Sequence, residues 1–175
     1  MIGSANPFNG FVVGTAGVSE FGDIDGDGDL DLVVGESDGI LNYFRNTGTA
    51  TAPANVQQTG TSNPFSDVFV GNGNRSSPTL GDLDGDSDLD LVVGEFFGTL
   101  RYYRNTGTSS VPAFAEPTGG ANPFNGIDAG GNSSPSLGDV DGDGDLDLVI
   151  GIGEGTLVYY LNAGTVTSPS FAQQT

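Results

Sequence analysis

The sequence predicts an all-β chain made of three copies of a four-stranded antiparallel blade, the unit of a β-propeller. Three observations carry this. The chain repeats itself at spacings of 57 and 59 residues from end to end. Its 30 glycines and nine prolines cut it into short runs rich in valine and aromatic residues. Each copy holds four such runs in the same order. Periods of this size mark propellers, solenoids or arrays, and short β-branched and aromatic runs between turn signals are strands.

The elements follow from one copy and recur in the others. Residues 18–22, 77–81 and 134–138 form the first strand, each ending in glycine before an acidic loop. Residues 30–35, 89–94 and 146–151 form the second, too short for a helix and built on Leu-Asp-Leu-Val-(Val/Ile)-Gly. A tight turn at 36–39, 95–98 and 153–155 leads into the third strand at 40–46, 99–105 and 156–162, which ends on Asn-(Thr/Ala)-Gly. A weaker fourth strand fits 54–58, 113–116 and 170–173. The repeats divide the chain at about 1–59, 60–117 and 118–175, one module with no room for a second domain. An extra pair of residues falls in repeat two between Phe65 and Pro78.

The acidic loop dominates the chemistry. Asp23, Asp25, Asp27, Asp29 and Asp31 sit on alternate positions of nine residues, as do Asp82, Asp84, Asp86, Asp88 and Asp90, and Asp139, Asp141, Asp143, Asp145 and Asp147. Two such charges about 5 Å apart repel by roughly 3 kcal/mol at an effective dielectric near 20. A hard cation among them reverses the sign. These loops hold 15 of the 23 acidic residues, so most of the net charge of −19 is local. Calcium takes six to eight oxygens; positions one, three, five and nine offer side chains and position seven its carbonyl, which leaves the carboxylates of Asp29, Asp88 and Asp145 facing outward. Position six needs a sharp reversal. Gly28 and Gly144 supply it, whereas Ser87 departs from it and predicts a weaker second site. An EF-hand is excluded, because its twelfth position is a glutamate between helices and here it is Val34, Val93 or Ile150 within a β run.

This loop, followed by Leu-Val-Val-Gly and a downstream Tyr-Phe-Arg-Asn-Thr-Gly, resembles the FG-GAP/VCBS repeat of integrin α-subunit-like, calcium-binding β-propellers and their bacterial relatives. The resemblance spans all three copies. It implies four-stranded blades with calcium held between the first and second strands, three structural ions per chain, and a role in adhesion or recognition within larger exported, surface proteins.

Composition removes other classes. Without cysteine or histidine there are no disulfides, no thiolate or imidazole zinc sites and no Ser-His or Cys-His catalysis. Four arginines and no lysine cannot build a phosphate-binding surface, so nucleic acid is not expected as a partner. No apolar run is long enough for membrane insertion, and the first residues lack signal-peptide character; the expected location is extracellular, within a longer exported chain.

Repeat-specific residues bear on ligands. The Asn-Pro-Phe segments at 6, 63 and 122 read as plugs between blades. Tyr43-Phe44, Tyr102-Tyr103 and Tyr159-Tyr160 alternate faces, one ring packing and the other half exposed. Arg45 and Arg104 recur, with Leu161 in the third copy, and suggest pairing with nearby acids. Opposite the calcium loops, Glu36, Asp38, Phe96, Phe97, Glu154 and the segment 72–75 would carry any protein or glycan ligand. The function expected is a non-enzymatic recognition and adhesion module. A lectin remains open, as does a polysaccharide-acting enzyme using Glu36 or Glu154. Three blades do not close a ring of the usual 4–8; a homodimer with six blades is expected to do so, the alternative being that the missing blades lie elsewhere in a parent chain.

Overall fold

The computed structural model describes residues 6–70 and 75–175. It contains three four-stranded antiparallel sheets, each with its strands in chain order: β1 (Val18–Gly22), β2 (Asp31–Gly35), β3 (Leu41–Asn46) and β4 (Asn55–Gln58); β5 (Ser77–Gly81), β6 (Asp90–Gly94), β7 (Leu100–Asn105) and β8 (Phe114–Ala115); β9 (Ser134–Gly138), β10 (Asp147–Gly151), β11 (Leu157–Asn162) and β12 (Phe171–Gln174). The first strands β1, β5 and β9 pack side by side, and the fourth strands lie at the far edges. This is an arc of three propeller blades.

Alternation along the second and third strands sends apolar side chains to both faces of each blade. Val33, Leu41 and Tyr43 face blade two, where they meet Leu91, Val93 and Tyr103 through a layer of Phe65, Val68 and Val70 from the connecting segment. The same layering joins blades two and three through Phe124. Phe65 sits edge-on to Tyr43 at 5.9 Å and stacks on Phe114 at 4.7 Å, and Phe124 stacks on Phe171 at 4.8 Å, so these two Asn-Pro-Phe segments are plugs. The aromatic pairs differ from expectation. Both rings of Tyr43-Phe44 and of Tyr102-Tyr103 are buried: neighbouring blades cover both faces of blade two, and on the leading side of blade one Phe8, Phe11 and Val13 cover Leu32, Val34 and Phe44.

Close approach explains particular glycines. A Cβ on Gly22 would lie 2.7 Å from Leu80 Cδ1 of the next blade, and one on Gly81 would lie 2.9 Å from Leu146 Cδ1. Across from the acidic loops, Ser76 and Ser133 staple the seams. The Ser76 hydroxyl accepts from the Glu36 amide at 2.9 Å and donates to its carbonyl at 3.1 Å, and Ser133 does the same at Glu95 at 2.9 and 3.0 Å. The sequence gives no periodic signal for this staple, since the first copy has Gly17 there.

Candidate metal centres

Each acidic loop is folded by its own carboxylates. Asp23 accepts from the amides of Asp27 and Gly28 at 3.1 and 3.0 Å, Asp82 from Gly85 and Ser87 at 2.7 and 2.9 Å, and Asp139 from Gly142 and Gly144 at 2.7 and 3.1 Å. Position five closes a second turn: Asp27, Asp86 and Asp143 accept from the amide two residues on at 3.1, 3.0 and 3.0 Å. Position six is left-handed throughout, with φ of 90° at Gly28, 95° at Gly144 and 72° at Ser87. Ser87 is therefore strained, at a cost of about 1–2 kcal/mol. Position four is left-handed as well, at Gly26, Gly85 and Gly142, a requirement the sequence reading missed although all three copies have glycine there.

These turns bring positions one, three and five together. Asp23, Asp25 and Asp27 each offer an oxygen within 4.8 Å of the others, as do Asp82, Asp84 and Asp86, and Asp139, Asp141 and Asp143. Position nine pins the loop to the third strand. Asp31 accepts from the Asn46 amide at 2.7 Å, the Tyr43 hydroxyl at 2.7 Å and the Ile24 amide at 3.3 Å. Asp90 is held alike by Asn105, Tyr102 and Leu83, and Asp147 by Asn162, Tyr159 and Val140. At position seven, Asp29 and Asp88 are half-buried. Asp145 corrects the expectation of an outward carboxylate: it is 8% exposed and lies among Asp143, Asp147 and Asp141.

Oxygens in the loops lack partners. Oδ1 of Asp25, of Asp84 and of Asp145 is closed to solvent and accepts no hydrogen bond. A buried acceptor without a donor costs about 1–3 kcal/mol, more when charged. Oδ2 of Asp25 meets Arg45 Nε, and Oδ2 of Asp84 meets Arg104 Nε; the Nη2 atoms lie 3.7 Å from Asp27 and Asp86. The recurring arginines thus bind the acidic loops themselves.

Desolvation, then the charge of Asp31, raises the pKa of Asp25 against the pull of Arg45; desolvation, then Asp86, raises that of Asp84. Desolvation also raises Asp31, and it lifts Asp90 to about 6. At Asp147 desolvation is outweighed by the Asn162 amide and the Tyr159 hydroxyl, and the pKa falls. Buried carboxylate oxygens without a donor, in a ready-made three-carboxylate cluster, fit a cation. The donor set, oxygen alone, suits a hard one.

Each of the first two loops is also covered by the next blade. Ser109 lies over Gly26, and Thr167 and Val166 lie over Gly85. Below these covers are seam cavities of about 320 Å³, lined by Asp25, Arg45 and Val111–Pro112, and about 220 Å³, lined by Asp84, Arg104 and Thr167–Pro169.

On the opposite face, Glu36 accepts from the Asn42 amide, Asp38 and Glu154 are exposed on their turns, and Phe96 and Phe97 form an exposed edge-to-face pair at 5.2 Å. Arg75 is exposed, and residues 72–74 lie outside the described residues.

Four-stranded blades that repeat around a shared edge, each with an oxygen-only triad in its first turn, define a bladed repeat protein. A family model described as FG-GAP-like repeat matches residues 23–93 and again 82–150, and the chain belongs to that family. No curated protein matches the chain.

Proposed function

We propose that the chain is a recognition and adhesion module whose blades are held by three calcium ions, with no catalytic chemistry of its own. The observation that carries this is the buried, hydrogen-bond-free Oδ1 of Asp25 and of Asp84 within a three-carboxylate cluster. Asp23, Asp25 and Asp27, and their counterparts, would hold the ion, with the position-seven carbonyl completing the set and position nine fixing the loop to its blade. Calcium, when bound, supplies the positive charge these oxygens lack. It suits the loop better than magnesium, which demands a rigid octahedron.

Ligand recognition is assigned to the face opposite the loops, where Phe96 and Phe97 present two rings to solvent. An exposed aromatic pair is the kind of surface on which a sugar ring or an apolar side chain settles, and it favours a glycan as the second reading of the ligand. A chain working outside the cell meets calcium at levels that satisfy modest sites, and repeats of this family typically occur in extracellular or surface proteins. Among the described residues no helix is long and apolar enough to cross a membrane.

Equilibrium dialysis should find three calcium ions per chain. A glycan and protein array probed in calcium buffer should give binding that Phe96→Ala and Phe97→Ala remove. Hydrolysis of a polysaccharide, lost in Glu36→Gln or Glu154→Gln, would overturn the non-enzymatic reading.

A further inference from the structure

The two ends of the arc expose what the inner seams bury. On the trailing side of blade three, Leu157 is 76% exposed, whereas its counterparts Leu41 and Leu100 are 1% and 7% exposed. Val140 is 59% exposed, against 3% for Ile24 and 2% for Leu83. On the leading side of blade one, Phe21 and Leu30 are 51% and 59% exposed; they stand where Leu80 and Leu89 close on Gly22, and where Leu137 and Leu146 close on Gly81. Gly138, the third glycine of that series, has nothing within 4 Å of its Cβ position. The receiving surface and the surface that fits it are both present and both open.

The third metal centre is open for the same reason. A loop from the next blade covers Gly26 and Gly85, whereas the Cβ position of Gly142 meets nothing. Asp139, Asp141 and Asp143 are all exposed, while the first two acids of each other triad are half-buried. The covering loop is 107–112 for site one and 164–169 for site two. Blade one carries the equivalent loop at 48–53, with the same Gly-Thr start and proline end.

We propose that the trailing face of blade three receives the leading face of blade one of a second copy, head to tail, so that two chains close a six-bladed ring and each copy's 48–53 loop completes the other's third metal centre. The contact is heterologous, and the ring closes because six blades fall within the usual propeller range. Leu157 and Val140 then bury against Phe21, Leu30 and the layer of Phe8, Phe11 and Val13 of the second copy, as Leu41 and Ile24 bury against Leu80 and the layer of Phe65, Val68 and Val70 within the chain. The closing seam is the weakest, because Gly17 replaces the stapling hydroxyl of Ser76 and Ser133. The metal part of this inference rests on the calcium reading above; the pairing of faces does not.

Light scattering in calcium buffer at tens of micromolar chain tests it. The expected mass is twice 17.7 kDa. Leu157→Glu and Leu30→Glu change side chains that are exposed in the single chain, so each variant should fold and run as a monomer. An equimolar mixture of the two retains one intact junction per pair and should regain the doubled mass. A folded wild-type monomer, a variant that keeps the doubled mass, a mixture that stays monomeric, or a mass of three or more copies would overturn the proposal. Equilibrium dialysis separates the two readings: loss of closure leaves calcium uptake at sites one and two, whereas loss of calcium uptake leaves the mass doubled.

Discussion

Loops one and two differ from loop three in surroundings far more than in sequence. Loop three has all five aspartates and both glycines, while loop two carries the strained Ser87. Yet Asp84 is half-buried beside Arg104, and the acids of the third triad stand in solvent with Leu161 in place of an arginine. Burial of an acidic loop in this fold is conferred by the neighbouring blade. The loop's own residues set its curvature and its donors; the next blade sets its dielectric.

The largest test removes the central acid. Asp25→Asn and Asp84→Asn should each abolish a covered site and cost about 2.7 kcal/mol when calcium stands 100-fold above its dissociation constant. Asp141→Asn should cost clearly less in a monomeric background such as Leu157→Glu, where site three stays uncovered. Thermal melts in calcium decide, and equal losses at all three would remove the distinction between covered and open sites.

Exchanging the arginines sharpens the same comparison. Arg45 and Arg104 place a competing positive charge on sites one and two, but both are half exposed, so each pair is worth about 1 kcal/mol or less. Arg45→Leu and Arg104→Leu should therefore tighten calcium at their sites by up to about fivefold. Leu161→Arg should weaken site three by a similar factor. Titration calorimetry checks both, and looser binding after arginine removal would mean that these side chains support the ion.

Ser87→Gly should relieve a left-handed serine, stabilise the fold by about 1 kcal/mol and tighten site two. Unchanged stability together with unchanged affinity would show that the turn is already relaxed.

The smallest effect is on pH. In chelator, the Asp90 carboxyl, raised to about 6 chiefly by desolvation, takes up a proton more readily in the folded chain than in the unfolded one. Its contribution is full below the unfolded value of 3.8 and is lost as pH rises through about 6. The metal-free Tm should therefore fall slightly between about pH 4 and 6. Asp147, whose pKa is lowered, acts in the opposite sense and only in more acidic solution. In calcium, protons compete with the ion and the trend should reverse. A metal-free Tm that climbs over the same interval contradicts the burial of Asp90.

Most of the fold could be read from the sequence because each strand is bracketed by the same glycines in three registers. The first strands at 18–22, 77–81 and 134–138 match the structure residue for residue, and the second and third begin one residue later than the pattern suggests. Composition also located the acidic loops. It could not show that Asp31, Asp90 and Asp147 are occupied by a tyrosine hydroxyl and two amides, since Tyr43, Tyr102 and Tyr159 read equally well as packing residues until the third strand folds beside the second. Nor could it show Arg45 on Asp25, a contact across 20 residues. The exposure of loop three was hidden for a deeper reason. A repeat reads alike wherever it stands, and only the assembled arc distinguishes a seam from an edge.

Thermal unfolding in calcium, in excess chelator, and after calcium is restored tests the central claim most directly. Three sites at 100-fold excess contribute roughly 8 kcal/mol against a typical total stability of about 5–15 kcal/mol. Chelation should therefore lower the Tm steeply, calcium should restore it, and magnesium should restore much less. A melting curve that is the same in calcium and in chelator would contradict the account.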